Sequence, residues 1–328
     1  MKEILNHLLA HKTLPKHEAK SVLVEIAQGK HTPVQIAAFL TVYMMRSVTV
    51  EELEGFRDAM LELCVALDLT DFDPMDVCGT GGDGKDTFNI STLAAFVVAG
   101  AGQAVAKHGN YGVSSLCGSS TVMEHLGYRF TNDYDTIRRK LDAANICFLH
   151  APLFHPAMKN VAPVRKELGV KTFFNMLGPM VNPTFPKKQM VGVFSLELAR
   201  LYAYLYQQTD KRFAIVHALD GYDEISLTGS FKLIGNQAEQ VLSPKDLNLT
   251  NVRADDILGG DSVEDSARIF MNVLRNQGTP GQNNAVVANA AVALRTARPN
   301  LSLSDAVATA RESLQGGKAL RSFEKLVG

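Results

Sequence analysis

The stretch Met75–Thr92, MDVCGTGGDGKDTFNIST, decides the fold. An apolar run that reads as a short strand passes into a glycine-rich turn, and Asn89-Ile90-Ser91-Thr92 then looks like the start of a helix. Strand, glycine turn and helix in that order make a phosphate-binding corner, and three kinds of phosphate ligand compete for it. Gly79-Thr80-Gly81-Gly82-Asp83-Gly84 matches the dinucleotide pattern G-x-G-x-x-G. That pattern needs the helix to begin within the glycines and an acidic residue about 20 positions on. Here Asp86, Thr87 and Phe88 intervene, and the next strand ends in Lys107-His108. Gly84-Lys85 is in register with a P-loop, but Asp86 stands where that loop needs a hydroxyl for Mg²⁺. The third reading lets the glycine backbone approach an anion while the helix-start amides and the Ser91 and Thr92 hydroxyls hold its oxygens. Taken singly, each glycine is a tight turn and each hydroxyl an ordinary cap; the surrounding sequence favours the third reading.

Downstream, KHGNYGVSSLCGSSTVMEHLG (Lys107–Gly127) begins at the end of a predicted strand, the edge where α/β proteins bind ligands. Asn110, Ser114, Ser115 and Ser119 then lead into a second helix start. Upstream, Ile4, Leu5, Leu8 and Leu9 share a helical face, as do Ala19, Val22, Leu23 and Ile26 before Gly29. Thr32-Pro33-Val34-Gln35 and Thr49-Val50-Glu51-Glu52 are capping boxes, so four helices are expected before Thr70. From Met75 the texture becomes short apolar runs read as strands, with glycine turns and helices between them: MDVCG, AAFVVAGAG, QAVAKHGN, NICFLH, QMVGVF and FAIVHALDG. That alternation predicts a mostly parallel sheet covered by helices, an α/β domain behind a small helical bundle. Residues 159–185 read as helical and able to pack back on the bundle, giving a helical domain of 1–72 with 159–185 and an α/β domain of 73–158 with 186–328. The tail from Val263 to Gly328 reads as amphipathic helices.

Composition sets the outer limits. At 328 residues, 46% apolar and 20% charged, the chain is long enough for two domains. A net charge of −1 leaves no overall basic field for nucleic acid or an anionic membrane. The opening MKEILNHLLAHKTL carries charge where a secretory signal needs an apolar run, and no segment approaches about 18 uninterrupted apolar residues. A cytoplasmic protein is expected. Cys64, Cys78, Cys117 and Cys147 lack the paired spacing of zinc or redox motifs and read as structural thiols.

GTGGD, FNIST, KHGN with downstream VSS and GS, HPAMKNVAPVRKELG and GYDEIS occur together and in this order. In that set the chain resembles the anthranilate phosphoribosyltransferases of tryptophan biosynthesis over its whole length. The resemblance implies a helical domain and an α/β domain with 5-phosphoribosyl 1-diphosphate in the cleft between them, and a homodimer joined through the helical domain. It implies phosphoribosyl-diphosphate contacts at Gly79, Gly82, Asp83, Thr87, Asn89, Ile90, Ser91 and Thr92, with Lys107, His108, Gly109, Asn110, Ser114, Ser115 and Ser119 forming the other wall. Anthranilate contacts fall on Gly79, Asn110 and Arg165, and His108 and His155 lie along the acceptor route. Ser91, Asp223 and Glu224 become ligands of Mg²⁺, two ions per monomer. Those residue types suit the roles: Mg²⁺ takes one or two protein carboxylates and completes its shell with water and phosphate oxygens. A guanidinium fork fits a planar carboxylate. No general base is nominated.

Many relatives read KHGN-R-S-VSS-K-S-GSAD, whereas this chain has Tyr111, Gly112, Leu116, Cys117, Ser120 and Thr121 at the variable points. Two cations are thereby lost from the second wall. KHGN with serines is shared with pyrimidine nucleoside phosphorylases, whose longer C-terminal extension is missing here. Non-catalytic nucleic-acid-binding relatives of the fold tend to be basic with a degraded diphosphate loop, and this loop is intact.

Overall fold

The structure is a computed structural model that describes residues 1–112 and 116–328. Along the chain, α1 (Lys2–Leu9), α2 (Lys16–Ala27), α3 (Pro33–Met45) and α4 (Val50–Glu62) come first, followed by β1 (Met75–Gly79), α5 (Ile90–Gly100) and β2 (Val105–Gly109). Next are α6 (Ser119–His125), α7 (Tyr134–Ala144) and β3 (Ile146–His150), then α8 (Ala151–Phe154), α9 (Ala162–Leu168) and α10 (Phe174–Leu177). After β4 (Lys188–Gly192), α11 (Leu196–Gln207) and β5 (Arg212–Ala218) come β6 (Phe231–Gly235) and β7 (Glu239–Leu242). Four helices close the chain: α12 (Val263–Leu274), α13 (Pro280–Ala297), α14 (Leu303–Gln315) and α15 (Lys318–Val327). These elements form two compact units, Met1–Leu67 with Ala151–Phe185, and Asp68–His150 with Pro186–Gly328. The chain leaves the first unit after Leu67 and re-enters it at Ala151, where the sequence reading set its boundaries at 72 and 159. Among the described residues no helix is long and apolar enough to cross a membrane.

The helical unit begins at its caps. Thr32 and Thr49 each accept from the backbone N–H three residues on, at 3.4 and 3.2 Å, while Gln35 and Glu52 return the bond at 3.0 Å each. Both boxes satisfy amides that a helix start leaves open. Behind them, Phe39, Tyr43 and Phe56 bury their rings with Phe173 from the returning segment, which stacks on Phe56 at 4.3 Å. Such pairs add about 0.5–1.5 kcal/mol beyond the area they bury. The return is also stitched by backbone bonds from Val65 N–H to Phe154 O and from Leu67 N–H to Pro183 O. At Gly55 a Cβ would stand 2.9 Å from the Ala19 Cβ, so only glycine lets α4 cross α2 this closely.

In the second unit a seven-stranded sheet runs in the order β3-β2-β1-β4-β5-β6-β7. Strands β1 to β5 pair in parallel and β6 and β7 are antiparallel. One expected strand is corrected: all of AAFVVAGAG up to Gly100 lies in α5, where every residue from Leu93 to Ala99 is buried. An apolar run shows a strand's composition whenever a helix is enclosed on all sides, and α5 packs on β1, β2, α13 and α15. For the same reason α13 is not amphipathic, being buried from Ala285 through Leu294. FKLIG and EQVL, which form β6 and β7, were not singled out in the sequence.

Candidate active site

The strand order reverses between β1 and β4, which place Gly79 and Gly192 side by side at their C-terminal ends. Ligands of doubly wound sheets bind outside the carboxyl ends of the strands at such a reversal. The glycine loop leaves β1 here, and Gly81, Gly82 and Gly84 take φ of 64°, 79° and 71°, a region in which a Cβ is strained. Thr80 N–H bonds Gly192 O at 2.9 Å, anchoring the loop to β4.

The acidic doublet arrives from the turn after β5 and meets this loop. Gly81 N–H donates to Asp223 Oδ2 at 2.6 Å, across 142 residues of chain, and the Thr80 hydroxyl approaches the same oxygen at 3.5 Å. Thr87 Oγ1 donates to Glu224 Oε2 at 3.3 Å, and Asp83 Oδ2 accepts from Asp223 N–H at 3.4 Å. A Cβ on Gly79 would lie 2.7 Å from Asp223 Oδ2, and one on Gly192 would strike the Asp223 carbonyl. The doublet is thus seated where glycine leaves room. Asp223 and Glu224 are only 6% and 9% exposed. Burial, with the neighbouring Asp83 carboxylate second, pushes Asp223 up to about 7. Burial and then the Asp223 charge push Glu224 well above the usual carboxylate range. Two enclosed carboxylates that resist ionising together are short of a cation.

Helix α5 starts beside them. Asn89 occupies its N-cap, but its side chain donates to Cys117 O at 2.9 Å and ties this loop to the start of α6. The Ser91 backbone N–H bonds Glu224. Thr92 Oγ1 is buried and has no hydrogen-bond partner among the described residues. Ile90 is buried in the core.

On the next strand Lys107 is 2% exposed and donates to Val77 O at 2.6 Å. Burial lowers its pKa, while Cys78, Asp76 and the acidic doublet pull the other way. Its ammonium therefore lies against β1. His108 is buried and its N–H bonds Asp76 Oδ1 at 3.2 Å. A Cβ on Gly109 would meet Phe148 and the Ser119 hydroxyl at 2.6 Å. Exposed Asn110 accepts at its carbonyl from Ser119 Oγ at 3.2 Å and from Ser120 N–H at 3.0 Å. Ser114 and Ser115 lie outside the described residues. Tyr111 is exposed, with its hydroxyl 3.3 Å from Glu124 Oε2 and its ring edge-on to His150.

Arg165 and His155 belong to the helical unit. Arg165 Nη2 donates to Asn175 Oδ1 at 3.3 Å and the guanidinium lies 5.3 Å from the Phe174 ring. Burial lowers its pKa, and its Nε has no hydrogen-bond partner among the described residues. His155 is 3% exposed, and burial lowers it to about 4 although it bonds the backbone at Val181 and Met60.

Sequence reading missed Thr80, Gly81 and Gly192. The glycine within QMVGVF, in a run otherwise suited to a buried strand, was the available signal for Gly192.

The helical bundle model of a glycosyl transferase family matches residues 2–64, and the a/b domain model of that family matches residues 72–320. The chain is 62% identical over 326 residues to an anthranilate phosphoribosyltransferase of Christiangramia forsetii, covering 99% of this chain and 98% of the relative. Its structure is similar to the anthranilate phosphoribosyltransferase of Thermus thermophilus, with a TM-score of 0.91, 34% identity and 98% of both chains covered. It is also similar to that of Saccharomyces cerevisiae in complex with PRPP and Mg, with a TM-score of 0.90, 28% identity and 98% and 95% covered. Aligned end to end at that identity, with both domain types of the glycosyl transferase family in place, the chain belongs to the anthranilate phosphoribosyltransferases.

Proposed function

We propose that the site transfers the 5-phosphoribosyl group of 5-phosphoribosyl 1-diphosphate to the amine of anthranilate, releasing diphosphate. The supporting observation is the hydrogen bond of Gly81 N–H to Asp223, which brings a glycine-rich anion loop and a buried acidic pair to one sheet edge. Two enclosed carboxylates with raised pKa fit Mg²⁺, whose small, hard ion takes one or two protein carboxylates and fills its shell with water and phosphate oxygens. Asp223 and Glu224 hold the metal, with the Ser91 hydroxyl as a further ligand and two ions per monomer. When bound, Mg²⁺ neutralises charge on the departing diphosphate.

The chain's own groups do the remainder. Gly79, Gly82, Asp83, Thr87 and the run Asn89–Thr92 hold the donor from one side, and Lys107–Asn110 with Ser114, Ser115 and Ser119 hold it from the other. Lys107, buried against β1, contributes a positive field without leaving its bond to Val77 O. Arg165 grips the anthranilate carboxylate, and Asn110 and Gly79 line the amine. Displacement at the anomeric carbon develops positive charge on the ribose and negative charge on the leaving group, as in other glycosyl transfers. The aromatic amine is neutral at pH 7, so alignment supplies much of the acceleration and no general base is assigned. The protein acts in the cytoplasm as a homodimer.

The test is the fluorescence of anthranilate with purified protein. Emission should fall only when anthranilate, phosphoribosyl diphosphate and Mg²⁺ are all present; emission that stays unchanged with all three present would refute the acceptor.

A further inference from the structure

Helix α13 carries one polar side chain through its buried stretch, Asn289, which is 2% exposed within Ala285–Leu294. An amide in an apolar helix is costly unless its hydrogen bonds are made. Asn289 makes three. Its Oδ1 accepts from Ile225 N–H at 3.1 Å, and its Nδ2 donates to Ile225 O at 2.9 Å and to Ala285 O at 2.8 Å. One side chain thus holds both backbone polar groups of the residue that follows Glu224.

That turn needs holding. Leu227, three residues beyond Glu224, has φ of 62°, a left-handed conformation uncommon for a leucine. Asp223 packs against the glycine ends of β1 and β4 on one side, where it has no side chain to lean on. Fixing the Ile225 peptide sets the backbone dihedrals between Glu224 and Ile225, and so the direction in which the Glu224 side chain leaves the chain. We propose that Asn289 is a positioning residue for the acidic doublet, setting its geometry toward the metal and diphosphate from the α13 side without touching either. This rests on the assignment of Asp223 and Glu224 to the metal. Hydrogen-bond partners one layer behind metal ligands typically change metal affinity about 10–100-fold when removed.

The experiment uses full-length protein with Asn289→Asp, which keeps the acceptor for Ile225 N–H and loses both donors, and Asn289→Ala, with Val292→Ala on the same buried helix as control. Mn²⁺ binding in the presence of phosphoribosyl diphosphate is read by electron paramagnetic resonance, beside thermal melting and the KM for each substrate. Both Asn289 variants should weaken Mn²⁺ binding and raise the donor KM by about tenfold or more, leave the anthranilate KM within about twofold, and bind worst as alanine. Val292→Ala should lower the melting temperature alone. If the Asn289 variants melt lower but bind Mn²⁺ as wild type, or if neither folds, Asn289 is only structural and the inference is overturned. An Asp223→Asn and Glu224→Gln pair that still binds Mn²⁺ as wild type would instead overturn the metal assignment on which it rests.

Discussion

Arg165 has a guanidinium whose Nη2 bonds Asn175 and whose Nε has no hydrogen-bond partner among the described residues. A charged hydrogen bond is worth about 1.5–3 kcal/mol, which is roughly ten- to hundredfold in affinity. Arg165→Ala should therefore raise the KM for anthranilate by about that factor and leave the donor KM nearly alone; steady-state kinetics with each substrate varied would check it, and an unchanged anthranilate KM would remove Arg165 from the acceptor site. His155 makes a different prediction. Burial holds it near 4 in the folded protein, below its ordinary 6.5. The neutral form is favoured by folding, so its contribution is present above pH 6.5 and is lost as pH falls through about 4. Fully protonating it would cost roughly 3 kcal/mol. Thermal melts from pH 4 to 8 should show His155→Gln losing less stability on acidification than wild type; parallel curves would contradict this. The family resemblance, with which the residue types agree, carried the acidic doublet and the arginine into the candidate site. Their burial could not be read from GYDEIS or VAPVRKELG, because exposure is set by chain segments far away in sequence.

Among the elements, helix starts were the most legible. Thr32-Gln35 and Thr49-Glu52 form the boxes their spacing predicts, because a capping box is local chemistry within four residues. The second box has a tertiary role the spacing does not show. Glu52 is fully buried, accepts from Leu14 N–H at 2.9 Å and Tyr43 OH at 3.0 Å, and pairs with Arg46 at 2.5 Å. Burial would raise its pKa, but the bonds from Arg46, Leu14 and Thr49 outweigh that and hold it below the usual value. Removing one partner of a buried ion pair costs roughly 3–5 kcal/mol. Glu52→Ala should lower the urea midpoint of the helical unit accordingly, and a midpoint unchanged from wild type would contradict that role. At the other end of the chain's logic, β1 stops at a glycine because Asp223 Oδ2 occupies the space of its Cβ. Gly79→Ala should displace that carboxylate and cut turnover by about a hundredfold while the melting temperature barely moves. The element misread was α5, since AAFVVAGAG has no polar face by which a period could be recognised. The antiparallel pair β6–β7 escaped notice because FKLIG and EQVL are short and EQVL is largely exposed.

For the molecule as a whole, alternating strands and helices gave the mostly parallel sheet, and the cap-rich opening gave the bundle. The return of Ala151–Phe185 to the first unit was legible only as helical texture; what holds it there, Phe173 stacked on Phe56, is a contact that no local pattern announces. The centre of the proposed function is that Gly79–Gly84 and Asp223–Glu224 serve one magnesium-bound diphosphate. Isothermal titration of phosphoribosyl diphosphate, with and without Mg²⁺, into wild type and the Asp223→Ala, Glu224→Ala double variant tests this most directly. Wild type should bind much more tightly with Mg²⁺, by about tenfold or more, and the folded double variant should lose that gain. A double variant that keeps the full magnesium-dependent gain would contradict it.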